Sequence, residues 1–186
     1  MGLFSKPWQD KDESVALNWV QKQKGNKSAL AKAAMHAPSY RVKVAAVDQL
    51  TSEPLLKLVA ASDEHTDSNI KSIALRKITD QTFLAEQAKA GWESAISALT
   101  DRDILVQILT DPHFFRLRGG NEMAIYYMNG DRGRKIERQD QDHKERLADS
   151  ALKRLSLLLG GDSDQLREVC GKSSYKCAQM YWDSFS

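Results

Sequence analysis

Cysteine is nearly absent: the 186 residues hold two, Cys170 and Cys177, too few to staple a fold with disulfides and in keeping with a reducing compartment. A dominant charge is absent as well. Lys and Arg number 27 against 25 Asp and Glu, a formal net charge of +2, so the global balance demands neither nucleic acid, nor an anionic membrane, nor an acidic substrate. No apolar run approaches the roughly 18 residues that a membrane helix needs, and the N-terminal residues lack the apolar core of a secretion signal. The expectation is a soluble, cytoplasmic protein. The histidines at 36, 65, 113 and 143 show no zinc spacing, and no nucleophile and base stand out together. No catalytic residue, metal or cofactor is therefore assigned.

What is present is a repeated joint. Residues 70–87, IKSIALRKITDQTFLAEQ, read as a helix, the turn Thr79-Asp80-Gln81, and a second helix opening on Phe83-Leu84. Ala74 and Ile78 lie four residues apart on one face of the first helix. The same spacing recurs at Ala46 and Leu50, Ala95 and Leu99, Ala124 and Met128, and Ala151 and Leu155. The aliphatic anchors are 28, 21, 29 and 27 residues apart, the length of a paired-helix repeat, shortened once by about two helical turns. A small residue belongs where two helix axes must approach to about 8–10 Å. Thr51-Ser52-Glu53-Pro54 and Thr100-Asp101-Arg102-Asp103 repeat the polar turn, with side chains suited to capping free N–H groups. With 41% hydrophobic residues the chain can bury a continuous core, but one such hairpin cannot cover its own apolar stripe and must stack on the next.

Along the chain, residues 1–13 read as an N-terminal tail carrying Phe4 and Trp8; MGLFSK misses the myristoylation pattern because Lys6 stands where a hydroxyl residue is needed. Residues 14–186 read as a single repeat domain. Asp12 or Ser14 is expected to cap a first helix bearing Ala16 and Val20, and Ser28 an alanine-rich second one. Arg41 and Arg146 stand nine residues before Leu50 and Leu155; such an arginine either bonds carbonyls or acids of the adjacent unit or lines a ligand surface. Trp92 follows the break at Gly91 and is expected to cover the kink of the shortened repeat.

Residues 110–120 are unlike the other connectors, being long, aromatic and basic. Phe114, Phe115, Arg116 and Arg118 are the candidate partner-binding residues, the alternative being that the loop folds its aromatics onto the core. Gly119-Gly120 lacks the lysine and hydroxyl sequel of a phosphate loop. The run 131–146 holds six basic and five acidic residues, the mark of a solvated helix face. Cys170 and Cys177, two helical turns or about 10.5 Å apart if helical, are expected as free thiols, with a bridge across a turn at Gly171 left open. Tyr181, Trp182 and Phe185 are expected to seal the last repeat.

The unit Ala74-Leu-Arg-Lys-Ile78-Thr-Asp80-Gln-Thr-Phe-Leu84 resembles bacterial HEAT-like (armadillo-type) helical repeats, over roughly residues 40–170. That resemblance implies an all-α fold, a right-handed α-α superhelix of about five to six stacked helix pairs whose inner surface binds proteins. The expected function is a non-catalytic protein–protein interaction scaffold with an unidentified protein partner. Two alternatives are a nucleic-acid-binding or base-repair protein and a small-molecule or chromophore-handling protein using residues 113–120 beside Trp92. Against nucleic acid, residues 41–77 mix six basic with five acidic side chains.

Overall fold

The computed structural model describes residues 6–62, 67–115, 131–160 and 163–183, and every regular element among them is helical. Eleven α-helices are described: α1 Glu13–Lys22, α2 Lys27–His36, α3 Tyr40–Gln49, α4 Glu53–Ala61, α5 Ser68–Leu75, α6 Gln81–Lys89, α7 Glu93–Ala98, α8 Arg102–Thr110, α9 Asp131–Leu159, α10 Ser163–Lys172 and α11 Lys176–Asp183. The all-α expectation holds for these residues. The chain divides into two compact units, Met1–Thr79 and Asp80–Ser186.

Helix starts follow from short acceptors placed before apolar runs. Asp12 caps α1 by accepting from the Ser14 N–H at 2.9 Å. Asp67 caps α5, Asp80 caps α6 through the Thr82 and Phe83 N–H groups, and Asp101 caps α8 through those of Asp103 and Ile104. Two caps differ from expectation. Helix α2 is capped by Asn26, which accepts from the Ala29 N–H at 3.1 Å, leaving Ser28 inside the first turn. At α4 the Ser52 side chain makes no cap bond, and Pro54 sits in the first turn instead, where its missing N–H costs nothing.

In the first unit α1, α3 and α5 pack successively and α2 packs on both α3 and α4, while α4 also packs on α5. Val20, Leu30, Val42, Leu50, Val59, Ile70 and Leu75 are sealed between these helices. Trp8, in a short 3-10 turn at Pro7–Gln9 that packs on α1, is buried as well. Part of the expected tail is thus docked.

In the second unit α6 packs on α7, α9 on α7, α8, α10 and α11, and α10 on α8 and α11. Leu84, Ile96, Leu105, Ile108, Leu147, Leu155 and Leu166 form its core. The break before the short α7 has a definite geometry. Gly91 takes φ +84°, its N–H bonding the Ala88 carbonyl at 2.8 Å and the Trp92 N–H the Gln87 carbonyl at 3.1 Å, the paired closure of a Schellman motif. At the last anchor, Leu155, the helix does not end: α9 runs on to Leu159 and stops at Gly160, φ +61°. No helix-breaking residue stands between Leu155 and Gly160. Ala46, Ala74, Ala95 and Ala151 are all fully buried, as are their anchors Leu50, Leu99 and, within a few per cent, Ile78 and Leu155. Ala124 and Met128 lie outside the described residues.

Candidate interaction surface

Most polar side chains at the joints have structural work. Glu53, first residue of α4, accepts from the Thr79 N–H at 3.1 Å and the Thr79 hydroxyl at 2.9 Å. Gln81, first residue of α6, repeats the arrangement by accepting from the N–H groups of Thr100 and Asp101 at 2.7 and 3.0 Å. Cations just before two anchors close helix ends: Lys77 Nζ donates to the Val47 and Asp48 carbonyls, and Arg154 Nε to the Leu99 carbonyl at 2.7 Å. Carbonyls of the last turn lack the full set of intrahelical donors, so a cation there stabilises the helix end. Arg41 reaches Glu13 at 3.1 Å, and the Ser39 hydroxyl shares that carboxylate at 2.7 Å. Of the two roles open to Arg41, it takes the acid of a neighbouring helix.

The aromatic pair singled out in the connector after α8 turns inward. Phe114 and Phe115 are only 3% and 4% exposed, stacked edge to face with centroids 5.3 Å apart, and Phe115 meets Tyr175 at 6.3 Å. Asp111 causes the reversal: its carboxylate accepts from the His113 N–H at 2.8 Å and its carbonyl from the Phe114 N–H at 3.1 Å. A partner therefore meets neither ring in this conformation. Arg116 and Arg118 lie outside the described residues. Trp92 is half-buried at the N-cap of α7.

Cys170 and Cys177 are both free thiols, the first buried in α10 and the second half-buried in α11. Burial pushes the Cys170 thiol up. Cys177 rises to about 11 through burial, assisted by the Glu145 charge. Neither is a thiolate near neutral pH, so neither offers the activated nucleophile that thiol chemistry needs. Among the described residues no three His, Cys, Asp or Glu side chains gather to hold a metal ion.

The open surface lies along α9. Between its C-terminal half and α11 runs a hollow of about 620 Å³, walled by Leu152, Leu157, Cys177, Met180 and Tyr181 and edged by Asp149, Lys153 and Ser156. A second hollow of about 490 Å³ shares Asp149, Lys153 and Leu157 with the first and extends over Glu93, Ser97, Arg146, Ser150 and Arg154. The shared residues stand four apart along α9 and form a ridge, with the apolar hollow toward α11 on one side and the polar hollow toward α7 on the other. Leu157 on the ridge and Met180 on the wall of the apolar hollow are 74% and 72% exposed, where water ought to repel them. Trp182 seals only part of this end: it lies over Gly171, whose added Cβ would stand 3.2 Å from the indole, yet remains 39% exposed.

Charged groups of the polar hollow are mostly engaged. Lys153 Nζ meets the Asp149 carboxylate at 2.6 Å, a bond that holds the ammonium above its usual range, and Glu93 accepts from the Ser150 hydroxyl at 2.8 Å. Arg146 is the exception. Exposed on α9, it has one polar contact among the described residues, His143 Nδ1 at 3.4 Å. Helix α11 is held at its start by Glu145, both of whose carboxylate oxygens accept from the Lys176 N–H at 3.0 and 3.3 Å.

Sequence reasoning overlooked Leu157 and Met180. Leu157 sits in the run Leu155-Ser-Leu-Leu-Leu159, where a full helical turn of leucines exceeds what one buried stripe can take; that excess was the available signal. No helix among the described residues is long and apolar enough to cross a membrane. Comparison with known proteins finds no family model, no curated protein and no solved structure that matches the chain.

Proposed function

We propose that this chain is a non-catalytic protein-binding scaffold built from HEAT-like helix pairs stacked in an armadillo-type superhelix. Support for the stacking comes from the alternating rows of helices within each unit, α1, α3 and α5 in one and α7, α9 and α11 in the other. The recurring links Glu53 to Thr79 and Gln81 to Thr100 add to it, since each ties the start of a second helix to the next turn. One observation carries the binding role: Leu157 and Met180 stand exposed on the wall of the hollow between α9 and α11, and exposed large apolar groups rimmed by polar ones mark sites where a partner excludes water. Two free thiols favour a reducing compartment such as the cytoplasm.

The test is affinity capture from the native cell lysate with the wild-type chain and with Leu157→Asp/Met180→Asp. A protein recovered by the wild type and lost with the double variant, at an unchanged melting temperature, is the expected result. Equal recovery by both chains, or none by either, overturns the assignment of this surface.

A further inference from the structure

We infer that Met180 is a site of reversible oxidation, its thioether taken to the sulfoxide by a hydroperoxide, and that the added oxygen closes the apolar hollow between α9 and α11; the inference rests on the protein-binding reading above and supplies a regulation for that surface. Among the described residues sulfur is carried by Met35, Cys170, Cys177 and Met180. Cys170 is buried, Cys177 half-buried and Met35 on α2 part-exposed, whereas Met180 is 72% exposed. A peroxide must reach the sulfur to oxidise it, and a cysteine must also ionise first. Cys177 lines the same hollow about one turn before Met180 on α11, but its thiol, pushed up to about 11 by burial, keeps its proton near neutral pH. A thioether has no proton to lose. The hollow thus holds a resistant sulfur at Cys177 and an open one at Met180.

The step balances with a hydroperoxide alone. The Met180 sulfur attacks the distal peroxide oxygen, an S–O bond forms as the O–O bond breaks, and the distal proton passes to the leaving oxygen, which departs as water or an alcohol. Sulfur is oxidised by two electrons and the peroxide reduced by two. The reverse consumes two thiols, which become a disulfide while the oxygen leaves as water, and an exposed side chain is open to the reductase that catalyses it. Oxidation turns this part of the wall from apolar to polar. Met180 faces the hollow with Leu152, Leu157 and Tyr181, so an apolar ligand seated there would have to strip water from the sulfoxide oxygen. The fold itself is spared, because α11 is anchored through the buried Ala178 and held at its start by Glu145.

The experiment treats the intact chain with dilute hydrogen peroxide and follows each sulfur by peptide mass spectrometry. Nile red, a neutral dye that fluoresces when apolar surface shields it from water, is the probe of the hollow. Expected are an oxygen adduct at Met180 before any at Met35 or Cys177, a loss of about tenfold in dye affinity as it forms, and recovery on adding methionine sulfoxide reductase with dithiothreitol. Met180→Leu keeps the wall apolar and should bind the dye equally before and after peroxide, with circular dichroism matching the wild type. Oxidation of Met35 or Cys177 ahead of Met180, no dye bound by the untreated chain, a dye affinity indifferent to the adduct or not restored by the reductase, or an equal loss in Met180→Leu overturns the inference and leaves the scaffold reading standing. That reading falls instead on the lysate capture above, whatever the order in which the sulfurs oxidise.

Discussion

The Glu53 carboxylate straddles Thr79, one oxygen accepting the backbone N–H and the other the hydroxyl, at 3.1 and 2.9 Å. Twenty-six residues separate the two, so the bond joins the start of α4 to the turn after α5 rather than bracing either helix alone. Glu53→Ala should destabilise the first unit by about 1 kcal/mol, because a half-exposed charged acceptor is lost and a backbone donor turns to water. A double-mutant cycle of Glu53→Ala with Thr79→Val, followed by urea denaturation, should return a coupling of about 1 kcal/mol. Additive effects would mean the two side chains hold their places independently.

Ala74 has no exposed surface, and the small side chain fits a close approach of helices. Ala74→Leu should overpack that contact and cost about 1–3 kcal/mol. The melting temperature reports it; an unchanged value would show that the helices leave room there.

Gly91 holds φ +84° in the closure of α6. Gly91→Ala places a Cβ in a left-handed conformation and should destabilise the second unit by about 1 kcal/mol, whereas Gly25→Ala, with nothing within 4 Å of its added Cβ, should leave the denaturation midpoint where it is.

Tyr175 is buried, and its hydroxyl has no hydrogen-bond partner among the described residues. Burial, with the Asp111 and Glu145 charges behind it, pushes its ionisation from 10.0 up to about 12. The folded chain therefore favours the neutral phenol. Its contribution is fully present below pH 10 and is lost as the pH rises toward 12. Cys177, raised from 9.0 to about 11, adds to the decline from pH 9 upward. Stability measured by denaturant at stepped alkaline pH should fall across this window, and Tyr175→Phe should flatten the part above pH 10 without cost at neutral pH. A Tyr175→Phe profile that overlays the wild type would remove the tyrosine from the account.

The joints were readable because their chemistry is local. An alanine one turn before an aliphatic residue, then Thr-Asp, specifies a helix end, a cap and a helix start within ten residues. Ala46, Ala74, Ala95 and Ala151 are accordingly all buried, and Asp80 and Asp101 cap the helices that follow them. The α2 cap was misplaced by two residues because Asn26 and Ser28 are both good acceptors and only the backbone conformation chooses between them. Site residues were much less legible. Phe114 and Phe115 look alike as text whether they point out or in, and a hydrogen-bonded reversal at Asp111 decided it.

By itself, then, the amino-acid order determined the helical class, the spacing of the joints and most of the caps, since each depends on interactions that reach four residues or fewer. Which leucine among Leu155, Leu157, Leu158 and Leu159 stays in water, and why Arg41 has an acid while Arg146 has none among the described residues, only the tertiary structure decided. Those outcomes rest on contacts between residues 28 to 57 positions apart, and local sequence carries no record of which distant helix will arrive to make them.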